Sequence, residues 1–390
     1  MQPAIALAVA LRARGHAVSF VAPANAVASV RRHGFDAESN GVDLERLMRS
    51  PGADMHSVRW LTRQLIDSLA PIFDTLAAAS ASCDLIVGTG AQIPAASVAE
   101  WRDVPYVTGV FCPVAVPSSA IPPPAIRTQT LPRWLNRLLW QVGGPAGDLV
   151  LRSAINRGRS RLGLRAIHDP LTGLMKGPVI VAADPDLAPL PDDAPERAMA
   201  TDAWILEEHV DLDPRIDTFL TLDPPPVYVG FGSMIATGAP DLAGMALSAV
   251  RALGRGAIIA GGWAGLDRQV AGADDVLAVD SVPHHLVLPR VAAAIHHGGA
   301  GTTTAVARAG VPQVILPHLL DQYYWGHRIE ALELGPRAMP VELVTADILA
   351  ARLDVALNDA RVRSRAAALG PAIAARNGVT AAVDYLETLA

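Results

Sequence analysis

The stretch V-A-A-A-I-H-H-G-G-A-G-T-T at residues 291–303 most constrains what this chain can fold into. A short apolar run that ends in glycines reads as a buried strand and a tight turn, with the threonines opening a helix. The start of such a helix presents unpaired N–H groups and a partial positive charge, which suit an anion and above all a phosphate. Gly298, Gly299 and Gly301 let the backbone approach that anion with no Cβ in the way. His296, His297, Thr302 and Thr303 stand where the turn would face it.

The neighbouring sequence repeats the same grammar. Apolar runs at 227–232, 257–261, 276–279, 291–296 and 313–317 read as strands, with helices at 241–253 and 303–309 between some of them. Helices at 346–357 and 380–389 close the chain. In the first half, 5–14 reads as a helix ended by Gly15, and 26–33, 55–79 and 93–101 as further helices. Strands fall at 16–22, 34–37, 84–88, 105–111 and 179–183. Residues 112–132 are Pro- and Ser-rich, and 134–140 and 142–151 read as two amphipathic helices. The order β-α-β-α predicts parallel strands with right-handed crossovers, so the fold class is α/β.

At 390 residues the chain can hold two such domains, and 51% hydrophobic against 18% charged residues excludes a disordered protein. The expected division is 1–205, a linker over 206–226 that ends in three prolines, a second domain over 227–372, and a tail helix over 373–390 that returns to the first. A net charge of −6 with no basic block gives no reason to expect a nucleic-acid partner. Cys83 and Cys112 cannot build a disulfide framework or a four-ligand metal site, and they fit a reduced cytoplasm. The least charged apolar region, 104–126, is broken by prolines and cannot span a membrane.

If the strands of the second half are parallel, their C-terminal ends share one edge, where open α/β sheets bind ligands. That edge collects Gly230-Phe231-Gly232-Ser233, then Gly261-Gly262-Trp263, then Ser281-Val282-Pro283-His284, the 296–303 turn, and Pro317-His318-Leu319-Leu320-Asp321-Gln322. Each has a plainer reading. Trp263 can be core, Asp321 a helix N-cap, and adjacent His296 and His297 diverge too much to share a metal. Together they offer an aromatic face, a phosphate cradle and a carboxylate–amide pair, which match the base, diphosphate and sugar of a nucleotide sugar. A dinucleotide fingerprint is not formed at 88–93, where Ile93 replaces the last glycine.

The run His296 to Thr303, followed by Ala309-Gly310-Val311-Pro312-Gln313 and 321–326 (D-Q-Y-Y-W-G), resembles the donor-site signature of GT-B UDP-glycosyltransferases. Within them it is most similar to the glycopeptide-antibiotic and sterol or lipid glucosyltransferase branch. The likeness takes in 204–206, 227–233, Gly34, Gly88 and 2–16, and so nearly the whole chain. It implies two Rossmann-like parallel-sheet domains facing a central cleft. It also implies an inverting hexosyltransferase acting from a UDP- or dTDP-sugar on a hydroxyl of a hydrophobic acceptor such as a lipid, sterol or natural-product aglycone.

Carried onto matching positions, Ser233 and the backbone of Gly298, Gly299, Ala300, Gly301, Thr302 and Thr303 would hold the diphosphate, with His296 donating to it. Trp263 and Val282 would flank the base, and Asp321 and Gln322 would bind sugar hydroxyls. No metal or other cofactor is implied, and peripheral contact with a membrane stays open. In this family a strand and a Gly-Asp loop bearing the presumed catalytic base precede the first helix, whereas Met1-Gln2-Pro3 already stands inside that motif. Roughly 15 further residues, one strand and a loop, are therefore expected upstream of a misassigned start. The alternative is an inactive or auxiliary homologue that only binds a ligand or partner.

Overall fold

The computed structural model describes residues 1–43, 46–47, 58–90, 92–208, 210–232, 241–261 and 274–389. They form two compact units, Met1–Glu207 with Asn377–Ala390, and Glu208–Arg376.

The first unit begins with α1 (Gln2–Ala13), which has a proline in its first turn, where no N–H is missed. Strands β1 (Ser19–Ala22) and β2 (Asp36–Ser39), with α2 (Ala24–Arg32) between them, pair in parallel as a separate two-stranded sheet. After α3 (Val58–Ala79), β3 (Ile86–Thr89), α4 (Ile93–Arg102), β4 (Tyr106–Val110), β5 (Val179–Ala182) and β6 (Ala198–Thr201) build a four-stranded parallel sheet in that order. Helix α1 serves both sheets. Its Ile5 and Ala8 pack with Val30, Phe35 and Ala37, while Ala6 and Leu7 pack with Val107, Ile180 and Trp204.

Between β4 and β5 runs α5 (Arg133–Arg161), one helix of 29 residues where the sequence reading expects two. Pro145 has no N–H to give the carbonyl of Gln141, yet the helix continues through it. Asn136 is buried on one side of the Gly143-Gly144-Pro145 break and Leu151, Ala154 and Ile155 on the other, so packing overrides the local interruption. Strand β6 was not legible either: A-M-A-T shows no alternation or β-branched run.

In the second unit α6 (Pro214–Phe219) lies inside the stretch expected as linker, its N-terminus capped by the Asp213 carboxylate. Then come β7 (Val227–Gly230), α7 (Leu242–Ala252), β8 (Ala257–Ala260), β9 (Val276–Val279), α8 (His284–Val287) and β10 (Ala293–His296). Next are α9 (Ala300–Arg308), β11 (Gln313–Ile315), α10 (Gln322–Ala331), α11 (Ala346–Asn358) and α12 (Ala360–Ala374). The five strands are all parallel, in the order β11-β10-β7-β8-β9. Every residue of β7, β8 and β10 is buried, as a sheet covered on both faces requires. The last helix, α13 (Val379–Glu387), belongs to the first unit, where Val383 and Leu386 pack with Leu7 and Glu387 meets Arg14 and His16. No helix among the described residues is long and apolar enough to cross a membrane.

Candidate functional site

The strand order places β7 beside β10, with β8 and β9 laid down on one side of that pair and β11 on the other. At such a reversal the loops leaving the two strands part in opposite directions and open a crevice at the C-terminal edge. His296 ends β10 directly opposite Gly230, the end of β7. The glycine-rich turn thus sits at the switch point of this sheet.

Gly299 is the N-cap of α9 and no side chain caps it; the first bond of the helix runs from the Thr303 N–H to the Gly299 carbonyl at 2.9 Å. The N–H groups of Ala300, Gly301 and Thr302 precede that bond, so the helix opens on free donors. Gly298 has φ +86°, and a Cβ there would meet Ile315 Cγ2 at 2.7 Å and the Gln322 carbonyl at 3.2 Å. Its glycine is required by the fold. At Gly301, by contrast, a Cβ would meet nothing within 4 Å among the described residues, so they supply no reason for glycine there.

The structure differs from expectation at His296. Its ring is fully buried, with Nδ1 accepting from the Gly298 N–H at 3.1 Å and Nε2 bonded to Gln313 Oε1 at 2.9 Å. An acceptor at Nδ1 makes Nε2 the protonated nitrogen. Gln313 Nε2 in turn donates to the Thr303 carbonyl at 3.2 Å. His296 is therefore corrected from a diphosphate donor to a brace that joins strand, turn and helix. Burial, with His297 next to it, pushes its pKa down to about 3 and keeps it neutral. The motif around Gln313 does not by itself give this role; a lone amide at the head of an apolar strand is the signal of a buried bonding partner.

His297 is the imidazole nearer the turn surface. It is partly exposed, and Cβ atoms added at Gly232 or Gly299 would lie 3.3 and 2.5 Å from its ring. Desolvation, then the neighbouring His318, lower its pKa to about 4, against a hydrogen bond to the Gly230 carbonyl.

Asp321 and Gln322 follow β11 and begin α10. Burial pushes the Asp321 carboxyl up to about 6. Gln322 Oε1 accepts from the N–H groups of His318 at 2.7 Å and Leu319 at 3.2 Å, so its oxygen fixes the preceding turn rather than facing a ligand. Leu320, at φ +49° and exposed, holds a backbone conformation that leucine avoids, which marks this turn as constrained. The structure brings Gly298 against Gln322, and with them the turn, α9 and α10. Val282 lies in the loop after β9, at the far end of the edge, and packs partly on the core. That loop is tied back by His284, whose Nε2 lies 3.1 Å from the Tyr228 hydroxyl of β7, a pairing the sequence did not announce. Ser233 and Trp263 lie outside the described residues. Among the described residues no three His, Cys, Asp or Glu side chains gather as a metal site.

Residues 259–389 match the family model "Erythromycin biosynthesis protein CIII-like, C-terminal domain". The chain is 37% identical over 389 residues to the vancomycin aglycone glucosyltransferase of Amycolatopsis orientalis, covering 96% of this chain and 93% of that protein. It is 28% identical over 408 residues to the sterol 3-beta-glucosyltransferase of Aspergillus clavatus, covering 99% of this chain and 28% of that longer protein. Among solved structures, the glycotransferase of kitacinnamycin superposes with a TM-score of 0.72 at 19% identity, covering 99% of this chain and 95% of that one.

Proposed function

The chain belongs to the GT-B glycosyltransferases, in the branch of the glycopeptide aglycone and sterol glucosyltransferases, and we propose that it moves a hexose from a uridine or thymidine diphosphate sugar to a hydroxyl of a hydrophobic acceptor. The observation that carries the donor assignment is the uncapped start of α9 at the switch point of the second sheet, with open space over Gly301. Gly299, Ala300, Gly301 and Thr302 take the diphosphate through backbone N–H groups and one hydroxyl, joined by Ser233, on a turn whose Gly298 lets the backbone pass close while its own N–H is held by His296. His297 replaces His296 as the imidazole beside it. Asp321 accepts from sugar hydroxyls on a turn that Gln322 holds in shape, and Trp263 and the main chain at Val282 flank the base.

The chemistry asked of these groups is charge stabilisation. The acceptor oxygen bonds to the anomeric carbon while the bond from that carbon to the diphosphate breaks, and a general base takes the hydroxyl proton. Negative charge grows on the departing diphosphate, where fixed N–H donors and the helix dipole already point. The acceptor class is a lipid, a sterol or a natural-product aglycone; among the relatives, one is named for the vancomycin aglycone and another for a sterol.

Calorimetric titration with UDP and dTDP, followed by incubation of UDP- and dTDP-hexoses with a panel of apolar alcohols and phenols, tests this. Binding of at least one nucleotide and a mass gain of one hexose on an acceptor are expected. Failure of both nucleotides to bind overturns the donor assignment.

A further inference from the structure

Asp321 stands at the N-cap of α10, where a carboxylate ordinarily accepts from the first free N–H groups of a helix. Here it does not: φ −63° and ψ −15° are helical values, and the side chain caps no N–H of α10. Gln322 holds this turn instead, through the N–H groups of His318 and Leu319. The half-buried Asp321 carboxyl is left with no part in shaping the helix start. One turn later comes Trp325, the largest fully buried side chain among the described residues. Its backbone N–H donates to the Asp321 carbonyl at 3.0 Å, so the two residues share one face of α10. Helical side chains lean toward the N-terminus, which lays the indole over Asp321. Tyr324 meets the indole edge to face with ring centroids 5.7 Å apart, and a Cβ on Gly326 would lie 2.5 Å from that of Ala338. The helix is pressed in place, and the indole with it.

The indole Nε1 of Trp325 is buried and has no partner at hydrogen-bond distance among the described residues. Buried donors are seldom left so, and a residue needed only to fill space has no use for the N–H. Its effect on Asp321 is nonetheless direct. Burial raises the Asp321 carboxyl to about 6, against its own backbone N–H and the Trp325 indole, which lower it. The indole N–H is thus near enough to favour the charged carboxylate and too far to bond it in the empty site. We propose that Trp325 is the positioning residue for Asp321, its indole N–H bonding the carboxylate when a hexose lies in the donor site. Sugar hydroxyls donate to one carboxylate oxygen and the indole to the other, so a charge that burial disfavours is held from both sides. This rests on the reading of Asp321 as the acceptor for those hydroxyls.

Calorimetric titration compares UDP with UDP-glucose, and dTDP with dTDP-glucose, on the native chain, Trp325→Phe, Asp321→Asn and the double variant. Trp325→Phe is expected to bind the bare nucleotide within about twofold of the native chain and the nucleotide sugar about tenfold more weakly. Asp321→Asn loses the same sugar-dependent part, and the double variant loses no more than Asp321→Asn alone. The native chain with isotope-labelled indole nitrogens gives a magnetic-resonance readout that needs no Trp325 variant to fold. Of its seven indole signals, one moves downfield with the nucleotide sugar and not with the bare nucleotide, and stays unmoved in Asp321→Asn. Failure of the native chain to bind either bare nucleotide overturns the donor assignment, and the positioning role falls with it. Native-like sugar binding in Asp321→Asn removes Asp321 from the sugar site and takes Trp325 with it. Weakened sugar binding in Asp321→Asn beside native-like binding in Trp325→Phe, or no sugar-dependent indole shift, overturns the proposal and leaves the donor assignment standing.

Discussion

His296 Nε2 lies 2.9 Å from Gln313 Oε1 inside the second unit, and this one bond lets the end of β10 hold the start of α9 in place. Replacing Gln313 by leucine leaves the His296 N–H and the Thr303 carbonyl buried without that partner. The expected cost is about 1–3 kcal/mol, read as a lower urea midpoint at unchanged slope, together with weaker UDP or dTDP binding.

Two glycines of the turn separate fold from ligand. Gly298→Ala forces a left-handed backbone on alanine and drives its Cβ against Ile315 and Gln322, so both stability and nucleotide binding fall. Gly301→Ala meets no atom of the described residues and gains helix propensity, so stability holds or rises by up to about 1 kcal/mol. Nucleotide affinity nonetheless drops about tenfold or more if the diphosphate passes over that position. Urea unfolding and calorimetric titration of the pair decide it; unchanged affinity in Gly301→Ala speaks against a phosphate there.

The pH response follows from buried groups of opposite sign. His284 and His297 are lowered to about 4 and His296 to about 3, so between pH 6.5 and 4 the unfolded chain binds more protons and stability falls as pH falls. Asp321, raised to about 6, works the other way: its ionised form costs stability above pH 6, and that cost disappears as pH falls towards 3.8. Asp321→Asn is therefore expected to be more stable than the native chain at pH 7 and to lose stability more steeply on acidification. Unfolding midpoints at pH 7, 5.5 and 4.5 test both signs.

Tyr228→Phe removes only the hydroxyl that His284 bonds at 3.1 Å. It leaves a buried imidazole nitrogen without this partner and loosens the loop that carries Val282. A stability loss of about 1–2 kcal/mol is expected, with a rise in the dissociation constant for the whole nucleotide and little change for inorganic diphosphate, which does not reach that loop.

Much of the second unit was legible because its signals are local. A buried strand needs an apolar run, a tight turn needs glycine, and a helix start needs free N–H groups, and 291–303 states all of these in thirteen residues. Strands 276–279 and helix 346–358 fall where periodicity puts them for the same reason. Where the local signal is weak, tertiary packing decides: β6 is four small or flexible residues, and α5 crosses a Gly-Gly-Pro break because side chains on either side are buried.

The sequence by itself determined the parallel α/β class and the residues of the turn, since both follow from spacing along the chain. Only the tertiary structure decided that β7 and β10 are neighbours, and so that the turn occupies a switch point. It also decided what two adjacent histidines do. Successive side chains leave a strand on opposite sides, so His296 turns inward to Gln313 and His297 remains at the turn, a difference that composition and motif alone cannot express.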